Sequence, residues 1–297
     1  MLTRLPNSVR NPTPGPCSGR RGAPIRGRVA MALETTSVEV VPPATVLVAG
    51  ATGGVGQLVC AKLIARGYRV KALTRSTSKA EERLGADLVS KMELCVGDIR
   101  DEAFLTSSMT NVDAVISATG TTAFPSDRWG ENKENGPEQT DLIGTGRLID
   151  ATPKSIRRFI YVTSAGVERY NKFGPFMILN AFGVLKYKAA SEKKLMSAGI
   201  PYTIFRPGRL TDGPYTSYDL NTLIQGKAGD RLALQLSPKD DLSGECSRIV
   251  VADAVVEALA IGTTTNKCFA CESIKGQAPA DAAGWKQLFD AVKFPDP

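Results

Sequence analysis

The chain contains no histidine. That absence removes Ser-His-Asp and Cys-His nucleophile systems, His-Glu-x-x-His zinc sites and imidazole acid–base chemistry. Any general acid has to be Lys, Tyr, Cys, a carboxyl group or the substrate itself. A Gly-x-x-x-x-Gly-Lys-Ser/Thr run is also missing, which argues against P-loop phosphoryl chemistry. No metal site is expected. No apolar stretch reaches the ~18 residues that a membrane span needs; the longest, Pro175–Leu185, is too short and contains Asn180.

Acid is missing from one region in particular. Residues 1–33 hold Arg4, Arg10, Arg20, Arg21, Arg26 and Arg28 and neither Asp nor Glu, so that segment contributes +6 of the formal net charge of +7. An Arg-rich, acid-free leader without an apolar core reads as an organellar transit peptide over 1–33, followed by a linker over 34–44. Composition alone leaves mitochondrion and chloroplast both open. The remainder, 45–297, is nearly neutral and carries no strong nucleic-acid footprint. It is long enough for one large α/β domain.

That domain is organised around Val46-Leu47-Val48-Ala49-Gly50-Ala51-Thr52-Gly53-Gly54-Val55-Gly56. Thr45–Ala49 reads as a buried parallel strand and Val55–Arg66 as a helix ended by Gly67. Gly50 suits a tight turn, Gly53 a close approach of backbone N–H groups to a pyrophosphate, and Gly56 close helix packing. The phosphates would sit at the helix N-terminus. The spacing is Gly-x-x-Gly-x-x-Gly, not Gly-x-Gly-x-x-Gly.

Strand and helix then alternate, which predicts a doubly wound parallel sheet of the Rossmann type. Strands are expected at Arg69–Leu73, Met92–Val96, Asp113–Ala118, Phe159–Thr163 and Tyr202–Phe205. Helices are expected at Lys79–Leu84, Asp101–Thr110, Thr140–Ala151 and Val184–Ser197, with a loop over Thr121–Gln139. Beyond Leu210 the pattern weakens into a small C-terminal, substrate-side lobe. It holds a strand near Arg231–Leu236, an amphipathic helix Ile249–Ile261, a strand Lys267–Ser273 and a helix Trp285–Val292. Cys268 and Cys271 have redox spacing, but three residues apart on a strand they face opposite sides, so they read as inert core thiols.

The end of the second strand chooses the dinucleotide. An acid there would hold a ribose 2′-OH. The chain has Leu73-Thr74-Arg75-Ser76 and no acid before Glu81, so Arg75 favours the 2′-phosphate of NADP over NAD. Asp98, after the third strand, suits either an adenine amino group or a helix cap. Ser117-Ala118-Thr119-Gly120 ends the fourth strand with residues small enough for a cofactor to pass.

These residues, with Tyr161-Val162-Thr163-Ser164, Lys188, Glu192 and Tyr202-Thr203-Ile204-Phe205-Arg206-Pro207-Gly208, resemble the atypical short-chain dehydrogenases/reductases over about 45–295. The likeness is to plant and algal chloroplast NAD(P)-binding Rossmann proteins, which are similar to flavin/biliverdin reductases and to the NADP-binding subunit of the inner-envelope translocon. Leu210-Thr211-Asp212-Gly213-Pro214-Tyr215 adds to it. The resemblance implies a chloroplast location and a catalytic Ser164 and Lys188. The cofactor-binding set becomes Gly50, Ala51, Thr52, Gly53, Gly54, Val55, Gly56, Arg75, Asp98, Ile99, Ala118, Thr119, Gly120, Lys188 and Pro207.

One departure stands out. The family's tyrosine belongs four residues before Lys188, where Val184 stands, and no Tyr-x-x-x-Lys occurs anywhere in the chain. Tyr187 is turned about 100° from Lys188 on a helix and is expected to pack at its edge. Ordinary carbonyl reduction is therefore disfavoured, while hydride transfer to a flavin- or quinone-like ring, with a proton from solvent, survives. Phe173–Phe182 is expected beside the nicotinamide, as an apolar substrate lid, a core-packed helix, or a docking patch for a chloroplast protein or for the thylakoid or envelope surface. The implied function is an NADP-dependent reductase of an apolar or aromatic acceptor; the alternative is a non-catalytic NADP-sensing assembly or regulatory factor.

Overall fold

Residues 38–211 and 231–295 are described by the structure, a computed structural model. The expected transit peptide over 1–33, and Asp212–Tyr215 of the family likeness, lie outside the described residues.

Five consecutive buried residues make β1 (Thr45–Ala49). It lies between β2 (Arg69–Thr74) and β4 (Ala114–Ser117), with β3 (Glu93–Val96) beyond β2. On the other side β5 (Arg158–Val162) and β6 (Tyr202–Pro207) follow β4. The chain thus reverses direction of growth at β1, the arrangement that opens a crevice at the carboxyl ends of the strands. The register levels that edge: Ala49 stands opposite Leu73 and Ser117, and Ser117 opposite Tyr161.

The C-terminal part largely extends this sheet. The strand β10 (Lys267–Gln277) pairs parallel with β6, and β8 (Leu232–Ser237) closes the edge antiparallel to β10. Away from it, β7 (Arg209–Thr211) and β9 (Glu245–Ser247) form a two-stranded parallel sheet. Sequence patterning does not reveal this pair, since three-residue strands carry no periodicity and their partners lie far apart in the chain.

Side chains alternate between two cores, as a sheet covered on both faces requires. Val46 and Val48 pack on one side and Leu47 and Ala49 on the other. Cys271 joins the first cluster and Cys268 packs against the second, so the two sulfurs do face opposite sides of β10. The first face is covered by α1 (Gly54–Ala65), α8 (Arg248–Ala260) and α9 (Ala282–Asp290); the second carries α4 (Glu102–Ser108), α5 (Thr145–Ala151) and α7 (Val184–Ser197). Short helices α2 (Thr77–Leu84) and α3 (Ala86–Val89) connect β2 to β3, and α6 (Pro175–Leu179) follows β5.

Several expectations are corrected. The helix read as amphipathic, α8, is buried along Ile249–Leu259 without interruption. Its acids are covered because α1 supplies partners: Lys62 Nζ reaches Asp253 at 2.6 Å, and Arg66 pairs with Glu257. Segment Thr140–Ala151 is α-helical only from Thr145, because Glu138–Gly144 is a π-helix. A 3-10 turn, Asp127–Trp129, interrupts the expected loop. The strand expected to end at Ser273 continues to Gln277, where β8 gives it a partner. The last helix begins at Ala282 because Asp281 caps it, accepting from Gly284 N–H at 2.8 Å.

Two glycines make the β1–α1 turn possible. Gly50 has φ +80°, and a Cβ on it would lie 2.7 Å from the Ala118 carbonyl carbon. A Cβ on Gly56 would lie 2.1 Å from the Gly50 carbonyl oxygen. Neither neighbour is a side chain that could turn aside. Gly56→Ala should therefore lower stability by about 1–3 kcal/mol, the range for overpacking, or more. Equilibrium denaturation checks this, and an unchanged midpoint would mean that the turn yields more easily than its backbone contacts imply.

Candidate functional site

The crevice at the carboxyl edge is built from five loops. Its floor is the glycine turn. Gly53 N–H donates to Gly50 O at 2.9 Å, and Gly53 is the extended N-cap of α1, with no side chain occupying the cap. Thr52 is braced by Gln57 Nε2 on its carbonyl at 2.8 Å. The first turn of α1 contains no acid, so its positive end is uncompensated there. Ala118, next to Gly50, donates its N–H to Ala49 O at 2.9 Å.

After β3, Asp98 is held by a near neighbour in the chain. Both of its carboxylate oxygens are engaged by Arg100, at 2.8 and 2.6 Å, and this pairing holds the carboxyl below its usual range. Nor does Asp98 cap the next helix: Asp101 does, accepting from Phe104 N–H at 3.1 Å. Ile99 packs against the π-helix at Gly144. Arg75 is exposed and donates to Asn135 Oδ1 at 2.7 Å.

The opposite end holds a feature that sequence reasoning missed. Lys188 Nζ forms an ion pair with Asp141 Oδ1 at 2.6 Å, and both side chains are buried. Asp141 comes from the π-helix, a geometry that recurs at functional sites. A Cβ on Gly120 would sit 2.9 Å from Lys188 Nζ and 3.4 Å from Asp141 Oδ1, so the pair lies directly against the end of β4. Ser191 Oγ donates to the Asp141 carbonyl at 2.6 Å. Burial pushes the Asp141 carboxyl above the usual carboxylate range, and the Lys188 ammonium opposes that shift. The available signal was an acid in register with Thr145, Leu148 and Ile149, on the face a helix buries.

Glu192, one turn beyond Lys188, turns elsewhere. It accepts from Arg206 Nη2 and Thr163 Oγ1, each at 2.6 Å. Arg206 also reaches Glu168 at 2.6 Å. Ser164 follows the end of β5 and is partly exposed; its Oγ donates to Ala165 O at 3.1 Å. The following loop is tied down by buried Asp240, which accepts from Gly166 N–H and Glu168 N–H at 2.8 Å. Thr119 Oγ1 turns inward, 2.9 Å from Ser117 Oγ. Pro207, at the end of β6, is buried beside β10. Val184 is buried and Tyr187 folds back over Gly183, so neither supplies a phenol to Lys188. Tyr161 is fully buried, and that burial drives its hydroxyl well above its ordinary value, which makes it a poor acid.

An apolar apron flanks the site. The core-packed reading of Phe173–Phe182 fails, because α6 buries no residue. Phe173 is 97% exposed and Ile178 64% exposed. Phe182 meets Phe124 and Trp129 edge to face, at 6.2 and 5.4 Å between ring centres, joining this segment to the loop after β4. Among the described residues no helix is long and apolar enough to cross a membrane, and no group of three His, Cys, Asp or Glu side chains is placed to hold a metal ion.

The residues present fit a dinucleotide. The glycine turn leaves backbone room, and the buried atoms Asp141 Oδ2 and Thr121 Oγ1, beside Gly120, have no partner among the described residues. Comparison with known proteins agrees. A family model described as NAD(P)H-binding matches residues 50–261. The chain is similar to Protein TIC 62, chloroplastic, of Pisum sativum, at 31% identity over 278 residues, covering 82% of this chain and 50% of that protein. It is similar to sanguinarine reductase of Eschscholzia californica, at 29% identity, covering 84% of this chain and 97% of that protein. A putative NAD-dependent epimerase/dehydratase from Bacillus halodurans shares the fold, with a TM-score of 0.64 at 22% identity over 84% of this chain and 100% of that one. The chain thus spans about half the length of its pea relative, whose name places it in the chloroplast, as the sequence reading expects here.

Removing one member of a buried pair strands the other charge. Lys188→Met alone should cost about 3–5 kcal/mol of stability, and Lys188→Met with Asp141→Leu should recover most of it. Urea denaturation of the two variants decides, since equal losses would mean that the pair is not electrostatically coupled.

Proposed function

The chain belongs to the NAD(P)H-binding family, and from that premise we propose that it is an NADP(H)-dependent chloroplast reductase of an apolar or aromatic acceptor. The observation that carries the reading is the buried Lys188–Asp141 pair set against Gly120, beside the apron of Phe124, Trp129 and Phe182. When bound, the nicotinamide supplies a hydride. Gly50–Gly56 hold the diphosphate through backbone N–H groups, and Arg75 takes the 2′-phosphate. Lys188, held by Asp141, donates to the nicotinamide ribose. Ser164 orients the acceptor, and Phe173–Phe182 shelters it from water. No phenol stands one turn before Lys188, so the acceptor is of a kind that draws its proton from solvent: a flavin- or quinone-like ring.

A second reading is a non-catalytic NADP-sensing assembly factor. It is favoured by buried Val184 at the tyrosine position and by the exposed side chains of Phe173, Ile178 and Phe182, which would then dock a chloroplast protein or a thylakoid or envelope surface. The full chain, incubated with NADPH and a panel of flavins, quinones and aldehydes, separates the two. Oxidation of NADPH with a flavin or quinone supports the reductase. Tight NADPH binding without turnover, with stable co-purifying partners, supports the factor.

The cofactor preference is tested separately. Arg75→Ala should weaken NADPH binding by about 1.5–3 kcal/mol, the range for hydrogen bonds to charged groups. NADH, which lacks the 2′-phosphate, should be nearly unaffected in the same calorimetric titration. Equal losses would remove Arg75 from phosphate recognition.

A further inference from the structure

Two helices, not one, point their positive ends at the glycine turn. The contacts between α1 and α8 advance together along both: Gly54 lies against Arg248, Lys62 pairs with Asp253 and Arg66 with Glu257. The helices therefore run parallel, with their N-termini side by side. Neither has an acid in its first turn. Their partial positive charges, each roughly half a unit, add at one place.

Arg248, the first residue of α8, lies across the first residue of α1. A Cβ on Gly54 would sit 2.8 Å from Arg248 Nε and 2.9 Å from its Cδ, so glycine at position 54 leaves room for the arginine stem. The residue before it is independently unusual. Ser247 is the N-cap of α8, a position where serine ordinarily caps through its hydroxyl. Here its side chain makes no cap bond, and its buried Oγ has no partner among the described residues. The arginine Nε, a helix end that no side chain caps and a hydroxyl without a partner among the described residues thus lie together at the start of α8, which stands against the turn that approaches phosphate.

We propose that Arg248 is a diphosphate-binding residue, which brings the N-terminal end of α8, with Ser247, to the same anion that α1 receives. The inference rests on the dinucleotide reading above and adds to it a second helix and a side chain from a distant part of the chain. The planar guanidinium suits two phosphate oxygens better than a point charge does. Arg248 reads what NADPH, NADH and ADP-ribose share, while Arg75 reads only the 2′-phosphate. The division of labour is between affinity for any dinucleotide and choice among them.

The test is calorimetric titration of the full chain and of Arg248→Met with NADPH, NADH, ADP-ribose and 2′-AMP. The expected result is a loss of about tenfold or more for each of the three diphosphates, with 2′-AMP unchanged. Unchanged affinity for the diphosphates overturns the proposal, and so does an equal loss for 2′-AMP. Arg248→Gln, which keeps a polar stem, takes the place of the methionine variant if that one fails to fold, with the same expectations. A wild-type chain that binds none of the four would sink the dinucleotide reading and this proposal with it. A wild type that binds the dinucleotides, beside variants that bind them equally well, would leave that reading standing and remove this one alone.

Discussion

Three stretches of backbone meet at Gly50, and the rest of the site takes its position from that meeting. The Gly50 carbonyl oxygen accepts the Gly53 N–H and lies under Gly56, while Gly50 itself packs against the Ala118 carbonyl. Strand β1, the end of β4 and the start of α1 are thereby locked into one unit without any side chain between them. Backbone contacts of this kind yield little, because no rotamer change can relieve them. The direction of α1 is set at its first turn, and α8 is then aligned along it by Lys62–Asp253 and Arg66–Glu257. A strand-order reversal supplies a crevice; the glycines determine how closely a ligand can approach its floor.

Helix α7 is positioned by charge rather than by apolar packing alone. It buries Lys188 and Glu192 one turn apart, and each is satisfied by a different neighbour. Lys188 reaches sideways to Asp141 in the π-helix, and Glu192 reaches down to Arg206 and Thr163 on the sheet. Buried pairs of this sort are weak sources of net stability, since desolvation offsets much of their attraction. Their effect is geometric: two directional contacts on one helix fix both its rotation and its height above β5 and β6. Arg158 shows the contrasting solution. It is fully buried; its two terminal nitrogens donate to hydroxyls and carbonyls, including Thr264 Oγ1 at 2.8 Å, while its Nε has no partner among the described residues, and burial lowers its guanidinium to about 10. It links β5 to the end of α8 far from the cofactor edge.

Much of this was legible in the sequence, for identifiable reasons. Helix Val184–Ser197 is bounded by Gly183 and Gly199, both with positive φ, and its expected limits coincide with the observed ones. Parallel strands such as Thr45–Ala49 advertise themselves as unbroken apolar runs. The glycine turn announces itself by spacing, and Lys188 stands out through the family resemblance. Asp141 did not, because its importance comes from a π-turn that sequence periodicity does not encode and from a partner 47 residues away. Arg248 was hidden in the same way: its neighbour Gly54 lies far off in the chain, and only the parallel packing of α1 and α8 brings the two together. The pairing of Asp98 with Arg100 was not legible either, because the arginine lies only two positions on, where no motif looks for it. Local pattern gives elements; the pairing of charges across elements requires the fold.

The missing phenol connects site geometry to the proposed chemistry. A catalytic tyrosine would have to project from the turn of α7 before Lys188, yet Val184 there is buried in a small cluster with Val167 and Leu185. The nearby alternative, Tyr161, is sealed beneath the sheet edge, where burial makes its proton harder to remove. Lys188 therefore has a carboxylate as its neighbour in place of a phenol, and its ammonium, engaged by Asp141, is placed to bind and orient. Among possible acceptors, a carbonyl suffers most from that arrangement, because the alkoxide formed by hydride addition needs a proton at once. A conjugated ring suffers least, because it spreads the incoming charge until water delivers the proton. The exposed rings of Phe124 and Phe182 are suited to such a planar apolar body, so the absence of the tyrosine and the presence of these rings argue for one and the same proposed class of acceptor.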